Sequence, residues 1–145
     1  MLYNNIVDFI SANIFTKFLV ILFFHFIGDY VLQVDVLAKL KDVHTWLDLK
    51  KENDTKPESK RFKIHPYIDW IWAMLAHCLI WSFCVHFPIL LLGTVEPNKL
   101  ALSIYVHTLF HFLIDSCKCN TYNISMTTDQ ICHLIQIIAI MLLII

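Results

Sequence analysis

Glycine and proline are scarce in this chain. Gly28 and Gly93 are the only glycines in 145 residues, and Pro57, Pro66, Pro88 and Pro97 are the only prolines. That scarcity excludes a fibrous or low-complexity chain. Charge is scarce as well, at 16% of residues, against about 25% in an ordinary soluble domain. The formal net charge of −1 excludes bulk attraction to nucleic acid or to an acidic partner. The opening "MLYNNIVDFISAN" lacks a basic stretch and a small-residue cleavage site, so no cleavable signal is expected. Cysteine is present five times, an odd number that argues against a disulfide framework. Cys78, Cys84 and Cys132 lie in apolar runs and read as small core hydrophobes. Cys117 and Cys119 form a C-x-C pair beside a polar stretch, but a thiolate metal site needs a second pair that is missing.

What the chain has in abundance is apolar sequence, 58% of its residues, with a mean hydropathy of +0.63. Four apolar segments cover residues 14–37, 70–92, 100–117 and 128–145. Each is roughly 18–24 residues, enough to cross a hydrocarbon core of ~30 Å at ~1.5 Å per residue. A soluble helical bundle with a large core is the alternative, but the runs are too long and too uniform for so small a chain. Lipid admits only helices or closed barrels, and no ten-residue alternating pattern supports a barrel. The expectation is an all-α polytopic membrane protein, one four-helix transmembrane bundle over residues 1–145. Pro88 should kink or cap the second helix. Leu2 to Ile10 is expected to form a short interfacial helix.

Residues 38–69 form the one long connection, read as a polar, solvated loop with a short helix around Val43 to Lys51. The loop also orients the chain. Of the eleven Lys and Arg residues, Lys39, Lys41, Lys50, Lys51, Lys56, Lys60, Arg61 and Lys63 lie here, and Lys118 falls on the same side. Lys17 and Lys99 lie opposite. The positive-inside rule makes this loop cytoplasmic, in a cell (inner) membrane with both termini on the other side.

The apolar segments carry polar residues in a pattern. His25, Asp29 and Gln33 follow at steps of four, which keeps them on one helical face. The second segment holds His77. The third holds His107, His111 and Asp115, again at steps of four, then Lys118. The fourth opens on Asp129, Gln130 and His133. Each has a plain explanation when taken singly. Asp115 and Lys118 can pair at i, i+3, and Asp129 can sit beside a helix cap made by Thr127 or Thr128. Topology argues otherwise. In an antiparallel bundle Asp29, His77, His111, Asp115, Asp129 and His133 fall within roughly 2–15 Å of one membrane edge, the loop side. An ionised Asp at a helix centre costs about 2.5–3.5 kcal/mol, so intramembrane carboxylates face the bundle interior and pair with one another or with a cation. His25, Asp29, His111, Asp115, Asp129 and His133, with His77 as a further ligand or a base, offer the nitrogen and oxygen mixture that suits a divalent ion. Zinc is favoured, with iron or manganese as alternatives. Helical bundles build metal sites from such pairs at i, i+3 or i, i+4. Seven candidates exceed the needs of one tetrahedral ion, so either two ions bind or some of the seven support the ligands.

The stretches "HFIGDYVLQ", "AHCLIW", "HFLIDSCK" and "DQICH", in this order, resemble a family of small bacterial and phage integral membrane proteins of unknown function. Its pattern runs H-x-x-G-D-[FY]-x-x-Q, a mid-chain His, H-x-x-x-D-x-x-K and D-Q-x-x-H. The resemblance spans nearly the whole chain except the polar loop and the first dozen residues. It implies a four-helix membrane fold. The positions it picks out are His25, Gly28, Asp29, Gln33, His77, His111, Asp115, Lys118, Asp129, Gln130 and His133. It implies no activity.

Three functions fit the residues. The first is a membrane metal-dependent hydrolase. Its ion would activate water, His77 would act as ligand or base, and Lys118 would stabilise an oxyanion or phosphate. Gln33 and Gln130 would orient ligands or touch substrate. Gly28 would let a neighbouring backbone approach. The substrate would be lipid-borne or come from the cytoplasm. The second is proton or metal-ion transport, which in so small a chain needs an oligomer. Against it, the polar residues occupy one half of the membrane. The third is a structural or regulatory polar network.

Overall fold

A computed structural model describes residues 13–92 and 95–144; the expected interfacial helix over Leu2 to Ile10 lies outside the described residues. Among those residues the fold is all-α. Helix α1 spans Ile14–Phe26 and runs directly into a π-helical turn, Ile27–Val31. Two shorter helices follow, α2 (Asp35–Leu40) and α3 (Val43–Thr55), then a 3₁₀ turn at Glu58–Lys60. The remaining long helices are α4 (Pro66–Leu92), α5 (Pro97–Cys119) and α6 (Met126–Ile144).

Local chemistry sets these boundaries. The Asn13 side chain accepts from the Phe15 N–H at 2.8 Å and caps α1, and Asp42 caps α3 through the His44 N–H at 2.8 Å, each filling a vacancy at a helix start. Pro66 and Pro97 stand at the starts of α4 and α5, where a missing N–H costs nothing. Ser125, rather than Thr127 or Thr128, caps α6 by accepting from the Thr128 N–H at 3.2 Å. Pro88 does not end α4, which runs on through it to Leu92.

The first apolar segment is not one continuous α-helix. The Leu32 N–H reaches the Ile27 carbonyl at 2.9 Å, an i→i+5 bond, and the chain breaks before α2 begins at Asp35. The four-step spacing of His25, Asp29 and Gln33 therefore does not put all three on one face. π-turns of this kind concentrate at functional sites because they re-aim side chains.

Four helical stretches, Ile14–Val31, Pro66–Leu91, Pro97–Cys119 and Met126–Ile144, are long and apolar enough to cross a membrane. α1 packs on α4 and α6, and α5 packs on the same two, so the four close a ring. Each helix runs antiparallel to its ring neighbours: His25 meets Trp81, Ser82 meets Ile104, and Lys118 meets Asp129. Phe23, Phe83, Phe110, Leu113, Ile135 and Leu142 are exposed, while His77, His111, Asp115, Asp129 and His133 are buried. An apolar exterior around a charged interior is the distribution lipid favours, and the chain is a multi-pass membrane protein.

One half of the ring is filled by Ile21, Trp81, Val85, Ile89, Leu100, Ile137, Ile140 and Met141. Asp29, His77, His111, Asp115, Asp129 and His133 occupy the other half, at the end that carries α2 and α3. Those two short helices pack against α4; the expected short helix around Val43 to Lys51 appears as Val43–Thr55, and most of residues 38–69 are exposed, with a few side chains turned inward. Lys41 and Asn53 are both only 3% exposed. Asn53 closes the segment on itself through Phe62, donating to its carbonyl at 2.7 Å. Asn120, just beyond α5, clamps the other end by accepting from the Val43 N–H at 2.7 Å.

Candidate metal centre

Four helices deliver three carboxylates and three imidazoles to one buried space. The π-turn brings Asp29, α4 brings His77, α5 brings His111 and Asp115, and α6 brings Asp129 and His133. His77 Nε2 lies 3.4 Å from Asp29 Oδ1, 3.2 Å from Asp115 Oδ2 and 3.1 Å from His111 Nε2. His133 Nε2 lies 3.3 Å from Asp115 Oδ1 and 3.3 Å from Asp129 Oδ1. His111 sits between these groups, with Nδ1 3.2 Å from His133 Nδ1. Trp81 stacks on its ring at 4.2 Å and 14°.

Every carboxylate also has a partner outside the ring of imidazoles. Asp115 Oδ2 accepts from Lys41 Nζ at 2.6 Å. Asp129 Oδ2 accepts from Lys118 Nζ at 2.6 Å and from Gln130 Nε2 at 3.1 Å. Asp29 Oδ2 accepts from Gln130 Nε2 at 3.0 Å. The orientation of Gln130 follows from a chain of donors. Trp81 Nε1 can only donate, and it donates to His25 Nδ1 at 2.7 Å. The His25 proton is then on Nε2, which donates to Gln130 Oε1 at 3.3 Å, leaving the Gln130 amide nitrogen for the two carboxylates. Outer partners that fix the orientation of ligands are characteristic of metal sites.

The inward atoms are not satisfied by one another. His133 Nε2, Asp115 Oδ1 and Asp129 Oδ1 are buried without a hydrogen-bond partner. His133 Nδ1 lies 3.2 Å from both Gln136 Oε1 and His111 Nδ1, and a ring protonated there presents an Nε2 lone pair to two carboxylate oxygens. A positive charge between them, a proton on His133 or a bound metal ion, would satisfy all three. Charge gives the same answer. Asp29, Asp115 and Asp129 carry three negative charges, Lys41 and Lys118 supply two positive ones, and all but Lys118 are fully buried. With neutral imidazoles one negative charge is left over, and an uncompensated buried charge is expensive. Two groups have ligand atoms within 4.8 Å of one another: Asp29, His77 and His111, and His111, Asp115 and His133. Their mixed N and O donors fit a divalent transition ion.

The structure places the other expected residues around these atoms. His25 is buried beside the cluster, with its ring nitrogens hydrogen-bonded to Trp81 and Gln130. His77 Nε2 stands among the inward atoms. Lys118 does not pair with Asp115 but with Asp129, its side chain 20% exposed. Gln33 bridges outside the cluster, its amide donating to the Asp29 carbonyl at 2.8 Å and accepting from Lys41 Nζ at 3.1 Å. Gly28 does admit a neighbouring backbone, since a Cβ there would lie 3.1 Å from Trp81 Cα. Lys41 was not foreseen at all. It looks like any other charge in a polar connection, and no local pattern marks it as the residue that turns inward.

The other half of the ring is less empty of polar groups than the sequence suggests. Ser103 Oγ lies 2.7 Å from His86 Nε2 and 3.1 Å from His107 Nδ1, all buried. On the outer surface, a crevice of about 560 Å³ runs between α1 and α6, walled by Phe18, Leu22, Phe26, Ile131 and Leu134 and ending at His25 and Gln130. No family model matches the chain, and it matches no curated protein and no solved structure.

Proposed function

We propose that the chain is a membrane metal-dependent hydrolase. The observation that carries this reading is the convergence of His133 Nε2, Asp115 Oδ1 and Asp129 Oδ1, three buried atoms without partners, at 3.3 Å spacings. A divalent ion held there, zinc before iron or manganese, supplies Lewis acidity and brings the pKa of water to near neutrality. Asp115 and Asp129 hold the ion, and Lys41 and Lys118 keep those carboxylates ionised and aligned. Lys118 is the partly exposed member and faces an incoming anionic oxygen. In this reading the motifs that resemble the small bacterial and phage membrane proteins are the ligand motifs.

The substrate is lipid-borne in this proposal. The crevice between α1 and α6 faces the bilayer along its apolar walls and ends at Gln130, whose amide also holds Asp29 and Asp129. The eight basic residues from Lys39 to Lys63 support placing this end of the bundle on the cytoplasmic side of a cell membrane by the positive-inside rule. A second reading, proton or metal-ion transport, draws on the His86–Ser103–His107 network, which places polar groups in the opposite half of the ring.

Metal analysis of detergent-purified protein tests the proposal, with Asp129→Ala and His133→Ala as controls. The expected result is metal bound by the wild type and reduced in both variants, together with hydrolysis of a lipid phosphoester, ester or amide. A folded wild type that takes up no metal sinks the hydrolase. Metal binding with cation or proton flux in proteoliposomes, and no hydrolysis, selects transport.

A further inference from the structure

We infer that the cluster holds two metal ions, with Asp115 as the carboxylate that bridges them; this rests on the metal-centre reading above. The two oxygens of Asp115 face different imidazoles. Oδ1 lies 3.3 Å from His133 Nε2, and Oδ2 lies 3.2 Å from His77 Nε2. Each imidazole has its own second carboxylate. Asp129 Oδ1 is 3.3 Å from His133 Nε2, and Asp29 Oδ1 is 3.4 Å from His77 Nε2. The arrangement is two half-sites, Asp129–His133 and Asp29–His77–His111, joined by one carboxylate.

Both half-sites lack the protons they would need without metal. In the first, Asp115 Oδ1, Asp129 Oδ1 and His133 Nε2 are buried with no partner. In the second, His77 Nε2 has three acceptor-capable atoms within 3.4 Å, on Asp29, Asp115 and His111. An imidazole nitrogen carries at most one proton and cannot serve three. A cation in each half-site satisfies all of them. Two-metal hydrolytic sites place their ions about 3.5–4 Å apart, a span that one carboxylate bridges.

Each carboxylate also has an outer partner: Lys118 holds Asp129, Lys41 holds the bridge, and Gln130 spans Asp29 and Asp129. A carboxylate has about four lone-pair sites, so Lys41 can hold one on Oδ2 while an ion takes another. Two divalent ions add four positive charges to a cluster with one negative charge left over. A water-derived anion or an anionic substrate group would therefore be drawn between them, which suits a phosphoester better than a neutral amide.

The test loads metal-free protein with manganese(II) alone and reads stoichiometry and electron paramagnetic resonance. The expected result is two ions per chain with an exchange-coupled spectrum. Asp29→Ala and Asp129→Ala should each keep one ion and show an isolated-manganese spectrum, and Asp115→Ala should lose coupling altogether. Circular dichroism and gel filtration check the fold of each variant, and the wild-type stoichiometry and coupling decide the matter should a variant not fold. One ion per chain overturns the two-metal site while leaving the single-metal hydrolase standing. Two uncoupled ions overturn the bridge. No ion overturns both.

Discussion

Lys41 and Asp115 stand 74 positions apart in the chain and meet at 2.6 Å inside the bundle. Both side chains are almost wholly buried, at 4% and 0% exposure. The pair joins the α2–α3 segment to the deepest carboxylate of the centre. Removing one partner of a buried ion pair leaves an uncompensated charge and costs about 3–5 kcal/mol. Lys41→Met should therefore lower the thermal stability of metal-free protein in detergent by that amount. Added divalent metal should recover part of the loss, because it supplies the missing positive charge. Unchanged stability without metal would show that Asp115 is neutral in the folded state.

Gly28, in the π-turn, packs closely against α4. A methyl group there would lie 3.1 Å from both Trp81 Cα and Cys84 Cβ. Because one of these is backbone, the helices must separate to admit it. Gly28→Ala should cost about 1–3 kcal/mol by overpacking. It should also weaken metal binding, since the adjacent Asp29 moves with its helix. Thermal unfolding and a metal titration on the same sample separate the two effects.

Gln130 joins two carboxylates through one amide, at 3.0 Å to Asp29 and 3.1 Å to Asp129. Replacing it by leucine keeps the volume and removes the donor. Outer partners of this kind are worth roughly 10–100-fold in metal affinity. Gln130→Leu should show that loss in a zinc competition titration with its helical content unchanged. An unaltered affinity would mean that the carboxylates hold their orientation without help.

Trp81 has two separable roles. Its N–H donates to His25 at 2.7 Å, and its ring stacks on His111. Trp81→Phe should lose only the first, costing about 0.5–1.5 kcal/mol. Trp81→Ala should lose both and leave a cavity, costing about 3–5 kcal/mol. Chemical denaturation in mixed micelles would rank the two variants.

The membrane-spanning helices were legible because hydropathy is a local property. Segments read over 70–92, 100–117 and 128–145 appear as Pro66–Leu92, Pro97–Cys119 and Met126–Ile144, lengthened by proline starts and a serine cap. The gathering of His77, His111, Asp115, Asp129 and His133 was legible for a related reason. Short connections force antiparallel neighbours, and depth along a helix follows from residue number. The outer partners of those residues were less accessible. Lys41 enters the site because Asn120 and α4 fold a charged connection back over the end of the bundle. His25 is held by a tryptophan 56 positions later in the chain.

The amino-acid sequence by itself determined that the chain is helical, that it suits a bilayer, and which depth its polar residues share. Periodicity and the cost of exposing backbone or charge to lipid suffice for those conclusions. Only the tertiary structure decided which atoms face one another. The π-turn at Ile27–Val31 re-aims Asp29 toward His77, and Gln130 claims one oxygen of two carboxylates. Lys41 closes the centre from a segment that hydropathy alone assigns to water. Side-chain partners depend on helix rotation and chain reversal, which are set by packing between distant segments and leave no local pattern to read.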